Sequence, residues 1–145
     1  MIDELAQVTT VALDTSPIIY AFEDHPQFGP VVRPVFEAIG RQQLHAVASS
    51  ITLVEVLTAP LRAGNTDLSS IYREFLLETD RVTTMPVTTE IAQRAAQLRA
   101  TYGLRTADAI VAATAMVAGC DAVLTNDEDL KALESIKVIY VNDFS

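Results

Sequence analysis

Four acidic residues, widely separated along the chain, fall where predicted strands end or predicted helices begin. They are Asp14, Glu55, Asp108 and Asp127. Carboxylate oxygens are the ligands that Mg²⁺ and Mn²⁺ prefer, whereas a single cysteine, Cys120, cannot build a thiolate metal site. If the four acids meet, they provide a site for a divalent cation and for metal-assisted hydrolysis of a phosphodiester.

The most unusual of the four acids is Asp108. It is the only charged residue of the segment 106–118, which is otherwise small or apolar and is therefore predicted to be a helix buried on all sides. A carboxylate is rarely buried without a partner, and no basic residue lies three or four positions away on the helix surface. We therefore expect the partner of Asp108 to be a metal ion or a group that the fold brings in.

The elements that must position these acids alternate along the chain. Short apolar runs predict strands at 8–13, 45–48, 82–85, 121–125 and 137–141. Helical periodicity and capping residues predict helices at about 17–22, 31–41, 51–57, 68–78, 89–102, 106–118 and 127–133. Strands that read as continuous apolar runs between helices indicate a parallel sheet covered on both faces. The predicted fold is a single α/β domain over residues 1–145, a three-layer α/β/α sandwich.

Several helix boundaries follow from individual residues. Ser49 or Ser50 is expected to cap the helix at 51–57, which Pro60 and Gly64 should limit. Pro34 is expected in the first turn of its helix. Thr66 or Asp67 and Thr88 or Thr89 should cap the two following helices, and Gly103 should end the second of them.

The parallel arrangement predicts that the four acids share one edge of the sheet. All parallel strands end at one edge, and the helices that follow them begin there. Asp14 and Asp127 follow the first and fourth strands, Glu55 lies in the first turns after the second strand, and Asp108 lies in the first turn of the buried helix. Open α/β sheets bind their ligands at this edge.

Each acid also has a simpler interpretation when it is taken alone. Asp14 and Asp127 suit helix caps, Asp108 suits the positive end of a helix dipole, and Glu55 suits a solvent-facing position. Together, however, two carboxylates about 5 Å apart repel by on the order of 3 kcal/mol at an effective dielectric constant of about 20. A bound cation would offset this repulsion, and without one the acids would take up protons.

Composition limits the remaining classes of protein. The chain has 145 residues, half of them hydrophobic, which suffices for one core. Its apolar runs are shorter than a membrane span, and its acidic start lacks the basic region of a signal peptide, so we expect a cytoplasmic protein. The net charge of −9 argues against broad attraction to nucleic acid, although not against a local basic surface.

Four sequence blocks resemble the motifs of PIN-domain nucleases, and the similarity is greatest to the VapC-type ribonuclease toxins of toxin–antitoxin operons. The blocks are VALDTS at 11–16, LVEVL at 53–57, TADAIVAATA at 106–115 and LTNDEDL at 124–130. They occur in the order of the family and span essentially the whole chain. The resemblance implies a five-stranded parallel sheet of order 3-2-1-4-5, a Mg²⁺- or Mn²⁺-dependent endoribonuclease acting on RNA, a homodimer, and inhibition by a cognate antitoxin.

The resemblance also assigns the site. By matching positions, Asp14, Glu55 and Asp108 form the catalytic, metal-binding triad, and Asp127 is the fourth acid. The supporting polar residues are Thr15, Asn126 and Asp129, of which Asp129 could share or take the role of Asp127. Arg105 is a candidate phosphate contact, and solvent exposure is its simpler interpretation. His25 and His45 are not expected to be catalytic.

Two other functions remain as alternatives. A Mg²⁺-dependent phosphatase of the haloacid-dehalogenase type also begins with a strand and an aspartate, but it needs a second acid two residues later, where this chain has Ser16. A non-catalytic PIN-like module that binds nucleic acid or protein would tend to lose acids, and here all four are present. The resemblance therefore favours catalysis.

Overall fold

The computed structural model describes residues 1–145, apart from the side chain of Ile2. Its centre is one sheet of five parallel strands in the order β3-β2-β1-β4-β5, as expected. The strands are β1 Thr10–Leu13, β2 His45–Ser49, β3 Val82–Met85, β4 Ala122–Thr125 and β5 Lys137–Tyr140. In the central pairings, Ala12 of β1 is level with Val47 of β2 and Val123 of β4, so these three strands end together.

Seven α-helices and two short 3-10 helices connect or flank the strands. The α-helices are α1 Ile2–Leu5, α2 Thr15–Phe22, α3 Gly29–Gly40, α4 Ser50–Arg62, α5 Thr66–Glu78, α6 Thr89–Tyr102 and α7 Thr106–Val117. The 3-10 helices are Glu128–Ala132 and Val141–Phe144. The predicted elements are all present, and α1 and the second 3-10 helix add to them.

Each face of the sheet has its own hydrophobic core. Val11 and Leu13 of β1 point to the core that α2, α3 and α5 cover, whereas Ala12 between them points to the core that α6 and α7 cover. This alternation is the period of a strand whose two faces are both buried. The predicted three-layer sandwich is therefore confirmed, with α7 as buried as its apolar sequence indicated.

The helix boundaries confirm some expected caps and correct others. Ser49 and Thr88 accept backbone N–H groups at the starts of α4 and α6, and Gly103 ends α6 in the left-handed region at φ 68°. The cap of α5 is Asn65, whose side chain accepts from the Leu68 N–H at 3.1 Å, and not Thr66 or Asp67.

Two prolines lie deeper inside their helices than expected. Pro60 does not limit α4, which continues to Arg62, because burial of the proline offsets the hydrogen bond that it cannot donate. Pro34 lies beyond the first turn of α3, because that helix begins at Gly29 and not near Val31.

Candidate active site

Asp14 directly follows the last residue of β1 and is the N-cap of α2. It is buried, and it caps α2 by accepting the Thr15 N–H at Oδ1, 2.9 Å away. Its second oxygen, Oδ2, accepts the hydroxyl of Thr125 at 2.7 Å. Both oxygens therefore have a donor, and the carboxylate is held in one orientation at the carboxyl edge of the sheet.

Thr125, the last residue of β4, connects two of the predicted acids. Its hydroxyl donates to Asp14 and accepts the backbone N–H of Asp127 at 2.9 Å. The side chain is fully buried. One hydroxyl therefore fixes the carboxylate after β1 relative to the chain that leaves β4. The sequence interpretation missed this residue, and its position next to Asn126 and Asp127 at a strand end is the signal that could have indicated it.

Asp108 lies in the first turn of α7, and its side chain is 8% exposed. Contrary to the expectation, a basic residue three positions away does pair with it. Arg105 Nε donates to Asp108 Oδ2 at 3.0 Å, and Arg105 Nη2 donates to Asp127 Oδ2 at 3.4 Å. The helix pattern did not indicate this pairing because Arg105 is the N-cap residue and precedes the helix, yet its side chain reaches one turn along.

Glu55 approaches the same cleft from α4. It lies on the exposed side of that helix, and its Oε1 accepts the hydroxyl of Thr15 at 2.7 Å. Thr15 is the first residue of α2 and follows Asp14 directly. Two predicted site residues are therefore joined by a hydrogen bond between helices that follow neighbouring strands.

Asn126 and Asp129 lie near the acids but have different contacts. The amide of Asn126 donates to the hydroxyl of Tyr20 at 3.0 Å and accepts the backbone N–H of Asn142 at 2.9 Å. Asp129 is exposed, and its backbone N–H donates to Asp127 Oδ1 at 2.9 Å. The side chain of Asp127 lines the cleft, whereas that of Asp129 does not.

A polar cleft of about 450 Å³ at the carboxyl edge brings the acids together. Its lining residues are Asp14, Thr15, Ser16, Glu55, Arg105, Asp108, Asn126, Asp127, Glu128 and Tyr140. All four predicted acids therefore face one space. His25 and His45 lie outside it: His25 Nδ1 accepts the Phe28 N–H at 3.0 Å, and His45 Nε2 lies 2.8 Å from the Thr83 hydroxyl.

Burial makes the charges of the cleft costly. It raises the pKa of Asp14, as do the charges of Glu55 and Asp127, whereas the hydrogen bonds from Thr125 and Thr15 act to lower it. Burial also raises the pKa of Asp108 to about 7, helped by a hydrogen bond shared with Asp127 and opposed by Arg105. Although burial acts to raise the pKa of Asp127, its hydrogen bonds and the charge of Arg105 lower it overall.

The donor set suits a hard divalent cation. The acids supply only oxygen ligands, and their mutual repulsion is what a cation would relieve. Among the residues that the structure describes, no group of three or more acidic, histidine or cysteine side chains is close enough to hold an ion as it stands. Loading would therefore require side-chain rotations, above all at Asp108 and Asp127, whose Oδ2 atoms are already engaged by Arg105.

Comparison with known proteins identifies the fold. A protein-family model of the PIN domain matches residues 11–136, which is most of the chain. The chain belongs to the PIN-domain family. A search of curated proteins finds no match.

Several solved structures of toxins and toxin–antitoxin complexes share this architecture. A toxin–antitoxin complex from Klebsiella pneumoniae is 22% identical, with a TM-score of 0.71, and the match covers 90% of this PIN domain and 97% of that chain. DNA-bound VapBC from Salmonella typhimurium is 20% identical, with a TM-score of 0.71 and coverages of 92% and 98%. VapC20 of Mycobacterium tuberculosis, a toxin that cleaves the sarcin-ricin loop, is 14% identical, with a TM-score of 0.68 and coverages of 88% and 98%. At these identities the similarity establishes the fold alone.

None of the helices in the described part of this PIN domain combines the length and the hydropathy that crossing a bilayer would require.

Proposed function

We propose that this PIN domain is a metal-dependent endoribonuclease and the toxin of a toxin–antitoxin pair. The observation that carries the proposal is the single polar cleft in which Asp14, Glu55, Asp108 and Asp127 meet. These acids come from four elements and lie up to 113 positions apart in the chain. Two of them have raised pKa values, which is typical of carboxylates arranged for binding or catalysis.

The roles of the acids follow from their positions. Asp14 and Asp108, the two buried carboxylates, would hold a principal Mg²⁺ or Mn²⁺ ion, and Asp127 would help to hold it. When bound, the ion would polarise the phosphate and lower the pKa of a bound water. Glu55 is more exposed and is held by Thr15, so it is positioned to orient the attacking water and to accept its proton.

The acidity of the chain requires an explanation for RNA binding. Phosphate contacts usually come from lysine and arginine, and the net charge here is −9. Arg105 is the one basic side chain among the residues that line the described cleft, and it is 78% exposed. We propose that the bound cation, together with a groove formed across a homodimer, supplies the remaining positive charge.

The proposed partner is an antitoxin protein. VapBC from Salmonella typhimurium and the Klebsiella pneumoniae complex are toxin–antitoxin assemblies with the same fold as this chain. A basic antitoxin segment would complement an acidic surface and would compete with a cation for the carboxylates.

The proposal is tested by cleavage of RNA. Purified protein is incubated with structured and single-stranded RNAs in Mg²⁺, in Mn²⁺ and in chelator, with D14N and D108N as matched variants. We expect cleavage by the wild-type protein in either metal and none in chelator or in the variants. Undiminished cleavage by both variants, or cleavage that persists in chelator, would contradict the proposal.

The toxin role is tested in cells. Induced expression of the wild-type chain in a bacterial host should arrest growth, and expression of D14N at the same protein level should not. Equal growth arrest by both proteins would show that toxicity does not depend on Asp14 and would contradict the proposal.

A non-catalytic binding module is the second candidate function. The observation that favours it is the pairing of Arg105 with both Asp108 and Asp127, which satisfies half of the acids without a metal. Such a module would bind RNA or a protein with the same affinity in chelator as in Mg²⁺, and it would cleave nothing. The cleavage assay therefore separates the two functions.

A further inference from the structure

One arginine occupies the space between two of the proposed metal ligands. Arg105 donates from Nε to Asp108 Oδ2 at 3.0 Å and from Nη2 to Asp127 Oδ2 at 3.4 Å. The two aspartates belong to different elements, the first turn of α7 and the segment after β4. A guanidinium group can bridge two carboxylates in this way because its donors project in a fixed fork.

Hydrogen bonds hold the backbone around Arg105, whereas its side chain is largely exposed to solvent. Arg99 Nε donates to the carbonyl of Leu104 at 2.9 Å, and the Arg105 carbonyl accepts the Ala109 N–H at 3.0 Å as α7 begins. The Arg105 side chain is 78% exposed, whereas that of Asp108 is 8% exposed and that of Asp127 is 19% exposed. An exposed guanidinium group therefore covers two largely buried carboxylates from the solvent side.

From this arrangement we infer that Arg105 is the counter-ion of the metal-free cleft and that a divalent cation displaces it from Asp108 and Asp127. The inference rests on the proposed function, because it assumes that these carboxylates bind a metal. The guanidinium group and a metal ion would compete for the same two carboxylates, and two cations at one pair of carboxylates repel. Displacement is inexpensive because the Arg105 side chain is exposed, so that solvent screens its interaction with the two carboxylates.

The consequence is a defined exchange of charge at the site. Without metal, Arg105 reduces the repulsion between Asp108 and Asp127 because it pairs with both. With metal, the freed guanidinium lies at the rim of the cleft, where solvent or a phosphate group can reach it. Arg105 is thus a positioning residue that sets the metal affinity of the site.

Binding of Mn²⁺ to the full chain at low ionic strength tests the inference. The measurement is titration calorimetry on the wild-type protein, R105Q, R105K and R41Q. Arg41 is the matched control, since it forms an exposed ion pair with Glu37 at 3.4 Å and lies at the end of α3, away from the carboxyl edge. We expect R105Q to bind Mn²⁺ about two- to fivefold more tightly than the wild type, which is the effect of losing an ion pair that solvent screens, and R41Q to match the wild type.

The lysine variant separates bridging from simple charge. Lysine keeps the charge but has a single ammonium group and cannot fork between two carboxylates. We expect R105K to bind Mn²⁺ more tightly than the wild type. Affinity equal to the wild type in R105K, or unchanged or weaker affinity in R105Q, would overturn the inference.

A second measurement follows the guanidinium directly. In ¹⁵N NMR of the wild-type chain, the Nε–H signal of Arg105 should lose its protection from solvent exchange as Mg²⁺ saturates the site. The Nε–H of Arg99, which donates to a backbone carbonyl, should stay unchanged and serves as the internal reference. Protection of Arg105 that survives saturation would contradict displacement.

The outcomes also distinguish this inference from the proposed function. If neither the wild type nor R105Q binds Mn²⁺, the proposed metal site fails and the inference fails with it. If the wild type binds Mn²⁺ and D108N does not, but R105Q equals the wild type, only the role of Arg105 is wrong.

Discussion

The pKa of an aspartate is shifted in opposite directions at the two edges of the sheet. At the amino edge, Asp121 stands before β4 and its Oδ2 accepts three donors: the Thr9 N–H at 2.9 Å, the Thr9 hydroxyl at 3.0 Å and the Thr10 N–H at 3.1 Å. These hydrogen bonds lower the pKa of Asp121. At the carboxyl edge, burial raises the pKa of Asp14 and of Asp108. Hydrogen bonds satisfy the carboxylate at the amino edge, whereas the carboxyl edge gathers four predicted acids around one arginine.

This difference separates an acid with a structural role from the acids for which we propose a functional one. Asp121 connects the start of β1 to the chain before β4 through the Thr9 and Thr10 N–H groups. Asp14 and Asp108 instead carry a cost that folding alone does not require. Such a cost is typical of sites that bind a cation.

Removing a charge at the carboxyl edge is the most direct test of the difference between the two edges. We expect D14N and D108N each to lower the RNA cleavage rate by at least about 100-fold, because ligand loss exceeds the 10- to 100-fold effect of supporting residues. Their circular dichroism spectra should match the wild type. Single-turnover kinetics measures the loss, and D129N is the control, expected to lie within about twofold of the wild type because Asp129 does not line the cleft.

The hydroxyl of Thr125 should give the next largest effect. T125V keeps the shape of the side chain but leaves Asp14 Oδ2 and the Asp127 N–H without their partner. We expect a 10- to 100-fold loss of metal affinity or rate, which is the effect of removing a group that orients a ligand. Unfolding free energy should fall by about 1–3 kcal/mol.

T125S is the control for that variant, because it keeps the hydroxyl. It should retain most of the rate and the metal affinity. A T125S protein as impaired as T125V would show that packing, and not the hydrogen bonds, is what the residue supplies.

The two edges should also differ in the pH dependence of stability. The pKa of Asp108 is raised from its ordinary value of 3.8 to about 7 in the folded chain, so the folded state holds a proton that the unfolded state releases. In chelator, this carboxyl should make the protein less stable as pH rises from about 4 to 7, with no further loss above that. The depressed pKa of Asp121 has the opposite sign: its stabilisation is present above about pH 4 and is lost as pH falls further.

Denaturation midpoints across this pH range, compared between the wild type and D108N, isolate the contribution of Asp108. The difference between the two proteins should grow in favour of D108N as pH rises, and added Mg²⁺ should reduce it. A difference that does not change with pH would contradict the assignment of the raised pKa to Asp108.

The smallest effect on activity is expected at the amino edge. D121N removes the charge that three donors share and should lower the melting temperature. The cleavage rate below the melting transition should equal that of the wild type, because Asp121 lies at the opposite edge from the cleft. A D121N protein that folds normally but cleaves RNA slowly would contradict the expectation that only acids at the carboxyl edge affect activity.

The layers and the strands could be predicted because they depend on local patterns. Each of these patterns determines the structure of only a few neighbouring residues. Examples are the apolar runs, the helix caps Ser49 and Thr88, and Gly103 at the end of α6. The strand order came from the resemblance to PIN domains, since no local pattern determines which strands are neighbours. Pro60 was misjudged because a proline usually limits a helix, and here burial of its ring outweighs one lost hydrogen bond.

Within the candidate site, the acids could be predicted and their contacts could not. The edge rule places Asp14, Asp108 and Asp127 together from the order of the elements alone. The bridge from Arg105 to Asp127 joins residues 22 positions apart, and the Thr125 bond to Asp14 joins residues 111 positions apart. Such contacts depend on the distance between neighbouring strands, which the sequence does not encode locally.

The position of Asp14 at the start of α2 decides which substitutions can be interpreted. The same carboxylate that faces the cleft also accepts the first backbone N–H of the helix. Asparagine caps a helix about as well as aspartate, whereas alanine costs about 0.5–2 kcal/mol at such a position. An alanine scan would therefore confuse a frayed helix with a lost ligand at this residue, and the amide variant is the one that reports on chemistry.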